Sequence, residues 1–192
     1  MGIRKIGLFN QALLGKWLWR FGKEATYLWH QVIATKYGEG SGGWCTRVAR
    51  ETHGCGLWKN VRKGADNFFG HVVNAAGEGN RIRFWHDPWS GPIPLKELYP
   101  ELFVYAVVQE ALISDMVIFA PNGGGTSWTF LFRHNFNEWE LRRFYSFYEH
   151  VSARIPSGEG EDILIWQLNC SGVFDVRSFY IALLKAPSVS FP

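Results

Sequence analysis

The run Gly77-Glu78-Gly79-Asn80-Arg81-Ile82-Arg83-Phe84-Trp85-His86-Asp87-Pro88-Trp89 constrains the fold more than any other stretch of the chain. Its glycines allow the backbone angles of a tight turn. Ile82 and Phe84 alternate with Arg81, Arg83 and Trp85 at the period of a strand, and Asp87-Pro88 ends that strand in a second turn. The pattern predicts turn, strand, turn, with Trp85 and Trp89 as large structural anchors in a core. Two glycines two apart also invite a dinucleotide loop. Such a loop opens a helix whose N-terminal amides meet the phosphate, and here a strand follows instead.

Ahead of this run the periodicity is helical. Leu8 to Phe21 places Leu13, Leu14, Trp17, Leu18 and Phe21 on one face, with Lys16, Arg20 and Lys23 along the opposite stripe at i, i+4 and i+7. A second helix is expected from Ala25 to Tyr37, stopped by Gly38 and Gly40, and a third from Leu57 to Val73, with Gly64 tolerated inside it. The glycine-rich stretch 38–56 holds Cys45, His53 and Cys55, but three candidate ligands without a fourth at finger spacing predict no metal site. With Cys170 the cysteines form no even framework and no Cys-x-x-Cys pair, which fits a reduced intracellular setting, cytoplasmic or nuclear.

Beyond the run, Pro92 to Val108 reads as a turn and short helical pieces, and Pro121 to Gly125 as a flexible break. Ser127 to Phe132 alternates as a strand, and Glu138 to Val151 returns to helical spacing. A polar, mobile loop is expected over Ile155 to Glu161. Asp162 to Leu168 and Val173 to Val176 read as a hairpin around a glycine turn, and Ser178 as the N-cap of a last helix ending at Lys185. The predicted fold class is α+β: a helical N-terminal part, residues 1–75, then a small mixed part, residues 76–192, with short antiparallel strands and a C-terminal β-hairpin.

The 192 residues are 47% apolar, enough to bury a sizeable core, and no apolar run approaches the ~18 residues of a membrane span. Each of the ten tryptophans is expected in a core. The net charge of +3 hides an asymmetry. Residues 1–70 carry 11 Lys or Arg against 4 Asp or Glu, and residues 71–192 carry 9 against 13. A basic first third is compatible with non-specific binding to an RNA or DNA backbone, with Lys16, Arg20 and Lys23 as the candidate contacts.

Two-metal polymerase or nuclease chemistry needs converging carboxylates. The nearest equivalent, Glu161-Asp162, opens a strand after a polar loop and reads as a solvated pair. No Gly-x-Ser-x-Gly elbow, P-loop or His-Glu-x-x-His occurs. These absences lead to the expectation that the chain is not an enzyme and uses no cofactor.

The words Gly77-x-Gly79, Ile82-x-Phe84-Trp85-x-Asp87-x-Trp89-x-Gly91 and Pro94-Leu95 resemble a segment of plant long-interspersed (non-LTR) retrotransposon polyproteins. Phe9-Asn10-Gln11-Ala12-Leu13-Leu14-Gly15-Lys16-Trp17-Leu18-Trp19-Arg20-Phe21 is similar to the same family, as is Asp162-x-x-x-Trp166 followed by Gly172-x-Phe174-x-Val176-Arg177-Ser178-x-Tyr180. The resemblance covers nearly the whole chain. It implies a segment downstream of the reverse transcriptase core and upstream of a zinc-binding domain, with the first helix in a thumb-like or connecting position. Zinc ligands and ribonuclease H carboxylates would then lie beyond Pro192, and the chain would be a noncatalytic connecting segment and a fragment. The alternative is an independent nucleic-acid-binding module that uses the basic first third.

Overall fold

The computed structural model describes residues 5–48, 56–119, 126–133, 135–156 and 158–185. The architecture is α+β, with a helical N-terminal region and short antiparallel strands. In chain order the helices α1 (Ile6–Lys23), α2 (Leu28–Tyr37), α3 (Gly56–Lys63) and α4 (Ala65–Phe69) lead into strand β1 (Val72–Ala75). The short helices α5 (Leu95–Leu98), α6 (Pro100–Tyr105) and α7 (Ile113–Met116) precede β2 (Val117–Phe119) and β3 (Thr126–Trp128). Helix α8 (Glu138–Ser152), strand β4 (Ile163–Trp166) and helix α9 (Val176–Lys185) follow. Among the described residues no helix is long and apolar enough to cross a membrane. The chain divides into two compact units, residues 1–72 with 165–192, and residues 73–164.

In the first unit α1 packs against α3, α4 and the returning α9. The buried side of α1 is Ala12, Gly15, Leu18, Trp19, Phe21 and Gly22, whereas the predicted face contained Leu13 and Trp17, which stay 45% and 41% exposed. The rotation follows from Gly15. The Phe179 ring of α9 lies so close that a Cβ at Gly15 would stand 2.9 Å from two of its carbons, so the small side of α1, and not the bulkiest, meets its partner helix. Trp166 is fully buried at the centre of this core. It stacks on Phe68 (5.3 Å between centroids) and meets Phe174 and Phe179 edge-on at 4.9 and 5.5 Å.

Three sequence expectations in this unit are corrected. The third helix breaks at Gly64 (φ −86°, ψ 0°), where a residue without Cβ slips into the sparsely populated bridge region, and the β-branched pair Val72-Val73 goes into β1 rather than the helix. Of the predicted C-terminal hairpin only the first arm is a strand, β4. The Trp166 N–H donates to the Gly172 carbonyl (2.8 Å), but residues 173–175 form no strand, and Val176 already begins α9. The cap of that helix is Asp175 and not Ser178: Asp175 Oδ1 accepts the Ser178 N–H at 2.8 Å. Ser178 Oγ instead accepts from Trp166 Nε1 at 2.8 Å.

The second unit is built on aromatic packing around Phe84, Trp85 and Phe147, all fully buried. Strands β2 and β3 pair antiparallel with Val117 opposite Trp128 and Ile118 opposite Ser127. Helix α8 opens on a capping box, in which Asn137 Oδ1 accepts the Glu140 N–H and Glu140 Oε2 accepts the Asn137 N–H. Phe147 and Val151 form its buried side. The break predicted over Pro121 to Gly125 lies outside the described residues, as do His53 and Cys55.

The strand predicted over Arg81 to Trp85 is not one. Ile82 and Phe84 are fully buried as the alternation implies, but so is Trp85, expected on the other face, and ladder geometry is confined to one bridge, Arg83 with Leu112. Asp87 causes the departure: its Oδ2 accepts the Arg83 N–H (2.8 Å), and its own N–H donates to the Arg83 carbonyl (3.1 Å), which curls the backbone back on itself.

Candidate nucleic-acid interface

The cations expected to line one side of α1 do not form an open stripe. Arg20 makes a two-pronged ion pair with Glu24, Nε to Oε1 and Nη2 to Oε2, both at 2.7 Å. Its guanidinium carbon also lies 4.9 Å from the Trp17 ring and 5.3 Å from the Trp29 ring. Trp29 Nε1 donates to the same Glu24 carboxylate at 3.0 Å. Hydrogen bonding to Arg20 holds the Glu24 carboxyl below the usual range, and the reciprocal bond raises Arg20. A charge already matched in this way has little left for a phosphate. Lys23 Nζ sits 5.1 Å over the Trp19 ring. Lys16 and Lys23 both remain exposed. Sequence spacing could not show that Glu24, one turn beyond Arg20, would pair with the middle one of the three cations.

Trp85 and Trp89 belong to the second unit. Trp85 is fully buried and stacks on Phe147, with centroids 5.3 Å apart and planes 9° from parallel. Trp89 Nε1 donates to the Phe84 carbonyl (2.8 Å), and its ring lies 5.6 Å from that of Trp128.

The Gly77-x-Gly79 turn does receive an anion, but one that the chain supplies. Asp162, 2% exposed, accepts the Gly77 and Gly79 N–H groups on Oδ1 (2.9 and 2.8 Å) and the Arg81 N–H on Oδ2 (2.8 Å). The reading of Glu161-Asp162 as a solvated pair is therefore corrected for Asp162, while Glu161 is exposed. The loop predicted to be mobile is tied to the same turn, Glu78 N–H to the Gly160 carbonyl and Gly158 N–H to the Gly77 carbonyl. Strict strand alternation hid this signal. The clue was a buried-position Asp at the start of β4 opposite a glycine pair rich in unsatisfied amides.

Nearby, His86 Nδ1 lies 3.2 Å from Lys96 Nζ, and His86 Nε2 lies 2.9 Å from Glu110 Oε1 without hydrogen-bond alignment. An ammonium facing Nδ1 makes that nitrogen the acceptor and places the ring proton on Nε2, toward Glu110. Burial lowers the pKa of His86; Glu110 opposes the shift, whereas Lys96 and Arg83 reinforce it. Burial also lowers His71 and His150. These groups bind protons more readily in the unfolded chain, so the stability they permit near neutrality is lost as pH falls through the ordinary histidine value of 6.5. The melting temperature is expected to fall between pH 7.5 and about 5.5. A flat or rising profile over that interval, measured by circular dichroism, would contradict the assignment of neutral, half-buried imidazoles.

Comparison with known proteins gives one informative likeness. A protein of Arabidopsis thaliana named "Putative ribonuclease H protein" is 28% identical over 189 residues, and the match takes in 94% of this chain and 28% of that protein's length. No family model and no solved structure matches the chain. The expectation that the chain is not an enzyme is corrected by this relative, which is named for an enzymatic activity. The resemblance seen in the sequence holds at its coarser level, and the likeness is that of a retroelement-related protein.

Proposed function

We propose that the chain is a connecting segment of a retroelement reverse-transcriptase polyprotein, lying between the polymerase core and a zinc-binding domain. The observation that carries this reading is the shape of the match: nearly all of the chain aligns with little more than a quarter of its relative. The words that resemble the family run in the same order through both compact units, and the structure uses many of them as core or loop-fixing residues. On this reading the ribonuclease H activity named for the relative belongs to the polyprotein that contains the segment. Sequencing the genomic DNA on either side tests it. An in-frame polymerase palm with paired aspartates upstream and a Cys/His cluster downstream are the expected result. In-frame flanks that encode an unrelated protein would overturn it.

The second reading is a module that binds a nucleic-acid backbone through its basic first third. The charge distribution supports it, and the pairing of Arg20 with Glu24 moves the centre of that charge away from α1. Salt-dependent binding of RNA by the purified chain tests this reading directly.

A further inference from the structure

A second group of cations lies in the first unit, on α3 and the turn that follows α2. Lys59, Arg62 and Lys63 stand at i, i+3 and i+4 and so share one side of α3. Opposite them the chain doubles back between Gly38 and Arg47. Gly38 takes φ 72°, Glu39 bridges Thr46, and the Arg47 N–H donates to the Gly38 carbonyl at 3.0 Å. The Arg47 side chain crosses over Gly38, where a Cβ would stand 3.3 Å from its Cδ. The two elements enclose a groove of about 320 Å³ whose lining includes Tyr37, Arg47, Trp58, Lys59, Arg62 and Lys63, with Asp66 as its one carboxylate among the described residues.

What distinguishes this groove from the α1 stripe is how its arginines are held. Arg47 Nε donates to the Glu39 carbonyl (2.9 Å) and Arg62 Nε to the Thr46 carbonyl (3.1 Å). A neutral backbone acceptor fixes a guanidinium without cancelling its charge, whereas the carboxylate on Arg20 cancels it. Asp66 offsets Arg62 only in part, since their closest atoms are 3.7 Å apart and the Asp66 side chain is wholly exposed. Beneath them Trp58 is fixed by its own Nε1 bond to Thr46 Oγ1 at 3.0 Å. The groove thus combines positioned cations, a volume suited to one nucleotide-sized group and aromatic side chains in its lining.

We propose that this groove binds the phosphate backbone of single-stranded RNA, with Arg47, Lys59, Arg62 and Lys63 as the phosphate contacts. The inference rests on the nucleic-acid reading of the basic first third and locates it away from α1. A groove that admits one strand's sugar-phosphate, and that offers cations without base-edge donors in a fixed pattern, reads backbone and not sequence.

The test is a fluorescence-anisotropy titration of a labelled oligouridine of about 12 nucleotides with the whole chain at about 50 mM salt, repeated over a salt series. Lys59→Gln with Lys63→Gln is expected to weaken binding about tenfold and to flatten the salt slope by about 1.4, the value for two phosphate contacts on a single strand. Lys59→Arg with Lys63→Arg should retain both. Lys16→Gln with Lys23→Gln on α1 should leave the affinity within about twofold. Photocrosslinking of 4-thiouridine RNA to the unmutated chain maps the contact independently of any variant, and crosslinks are expected within residues 37–66. Binding by the parent chain that survives the groove substitutions, or crosslinks confined to α1 or to residues 73–164, would overturn the groove while leaving the nucleic-acid reading standing. No binding by the parent chain would overturn both.

Discussion

Trp85→Ala is expected to lower the melting temperature by about 6–20 °C, because removing a fully buried Trp costs about 3–5 kcal/mol and each kcal/mol moves a chain of 192 residues by about 2–4 °C. The lost side chain is the stacking partner of Phe147 and an edge-on neighbour of Phe84 and Phe103, at 5.2 and 5.8 Å, so the cavity would open at the point where the 77–89 run meets α8 and α6. Such a loss is a large share of the 5–15 kcal/mol that holds an ordinary domain together. Trp85→Phe should lose clearly less. It keeps a ring against Phe147 and deletes an indole N–H that has no hydrogen-bond partner among the described residues, a group whose burial is itself unfavourable. A Trp85→Ala chain that melts normally but no longer binds RNA would reverse the assignment and make this residue a stacking platform.

Periodicity carried the sequence reading well where local pattern and tertiary demand agree. Helix α8 was expected over Glu138 to Val151 and runs Glu138–Ser152, since Asn137 and Glu140 specify its start within four residues. It failed where a long-range partner decides. The face of α1 is set by Phe179, more than 160 residues away in sequence, which selects Gly15 and Ala12 over the bulkier Leu13 and Trp17. The run at residues 81–85 kept its buried alternation only as far as Phe84, since Trp85 is buried too, and it lost its ladder because the Asp87 side chain competes for the Arg83 amide. The linear partition at residue 75 could not anticipate that residues 165–192 gather with residues 1–72, a contact between chain ends that no local window contains. The basic stripe was legible as spacing, yet the matching of Arg20 by Glu24 and the backbone anchoring of Arg47 and Arg62 depend on rotamers and on a turn, neither of which spacing encodes.

The residues that carry the family resemblance are explained in the same terms. Trp166, Phe174 and Tyr180 of the last word and Gly15 of the first lie where α9, β4 and α1 meet within one unit. Ile82, Phe84, Trp85 and Trp89 are buried in the core of the other. A resemblance built from such positions speaks for a shared fold, because packing at near-crystalline density tolerates few substitutions there. The residues that line the groove on α3 lie outside every one of those words.

Asp162 joins the last and the middle words, and its removal is the second large effect expected. Asp162→Ala would take this acceptor from the buried amides of Gly77 and Gly79 and from the half-buried amide of Arg81, at about 1–3 kcal/mol for each buried unsatisfied donor, so a loss of roughly 3 kcal/mol or more is expected. Asp162→Asn should recover only part of it, since its Oδ1 still serves Gly77 and Gly79 while its amide nitrogen would confront the Arg81 N–H, donor against donor. The neighbouring Glu161→Gln is expected to be neutral because that side chain is exposed. Space as well as charge fixes the turn: a Cβ on Gly77 would overlap the Gly160 carbonyl oxygen, and Gly79, at φ +74°, would press one against Ile113. Gly77→Ala should therefore reproduce the destabilisation of Asp162→Ala without touching the carboxylate. Hydrogen exchange reads the mechanism directly: in Asp162→Ala the amides of residues 77, 79 and 81 should lose protection ahead of the rest of their unit. Uniform loss of protection across residues 73–164, or an Asp162→Ala chain as stable as the parent, would show that the turn holds its shape without the buried carboxylate.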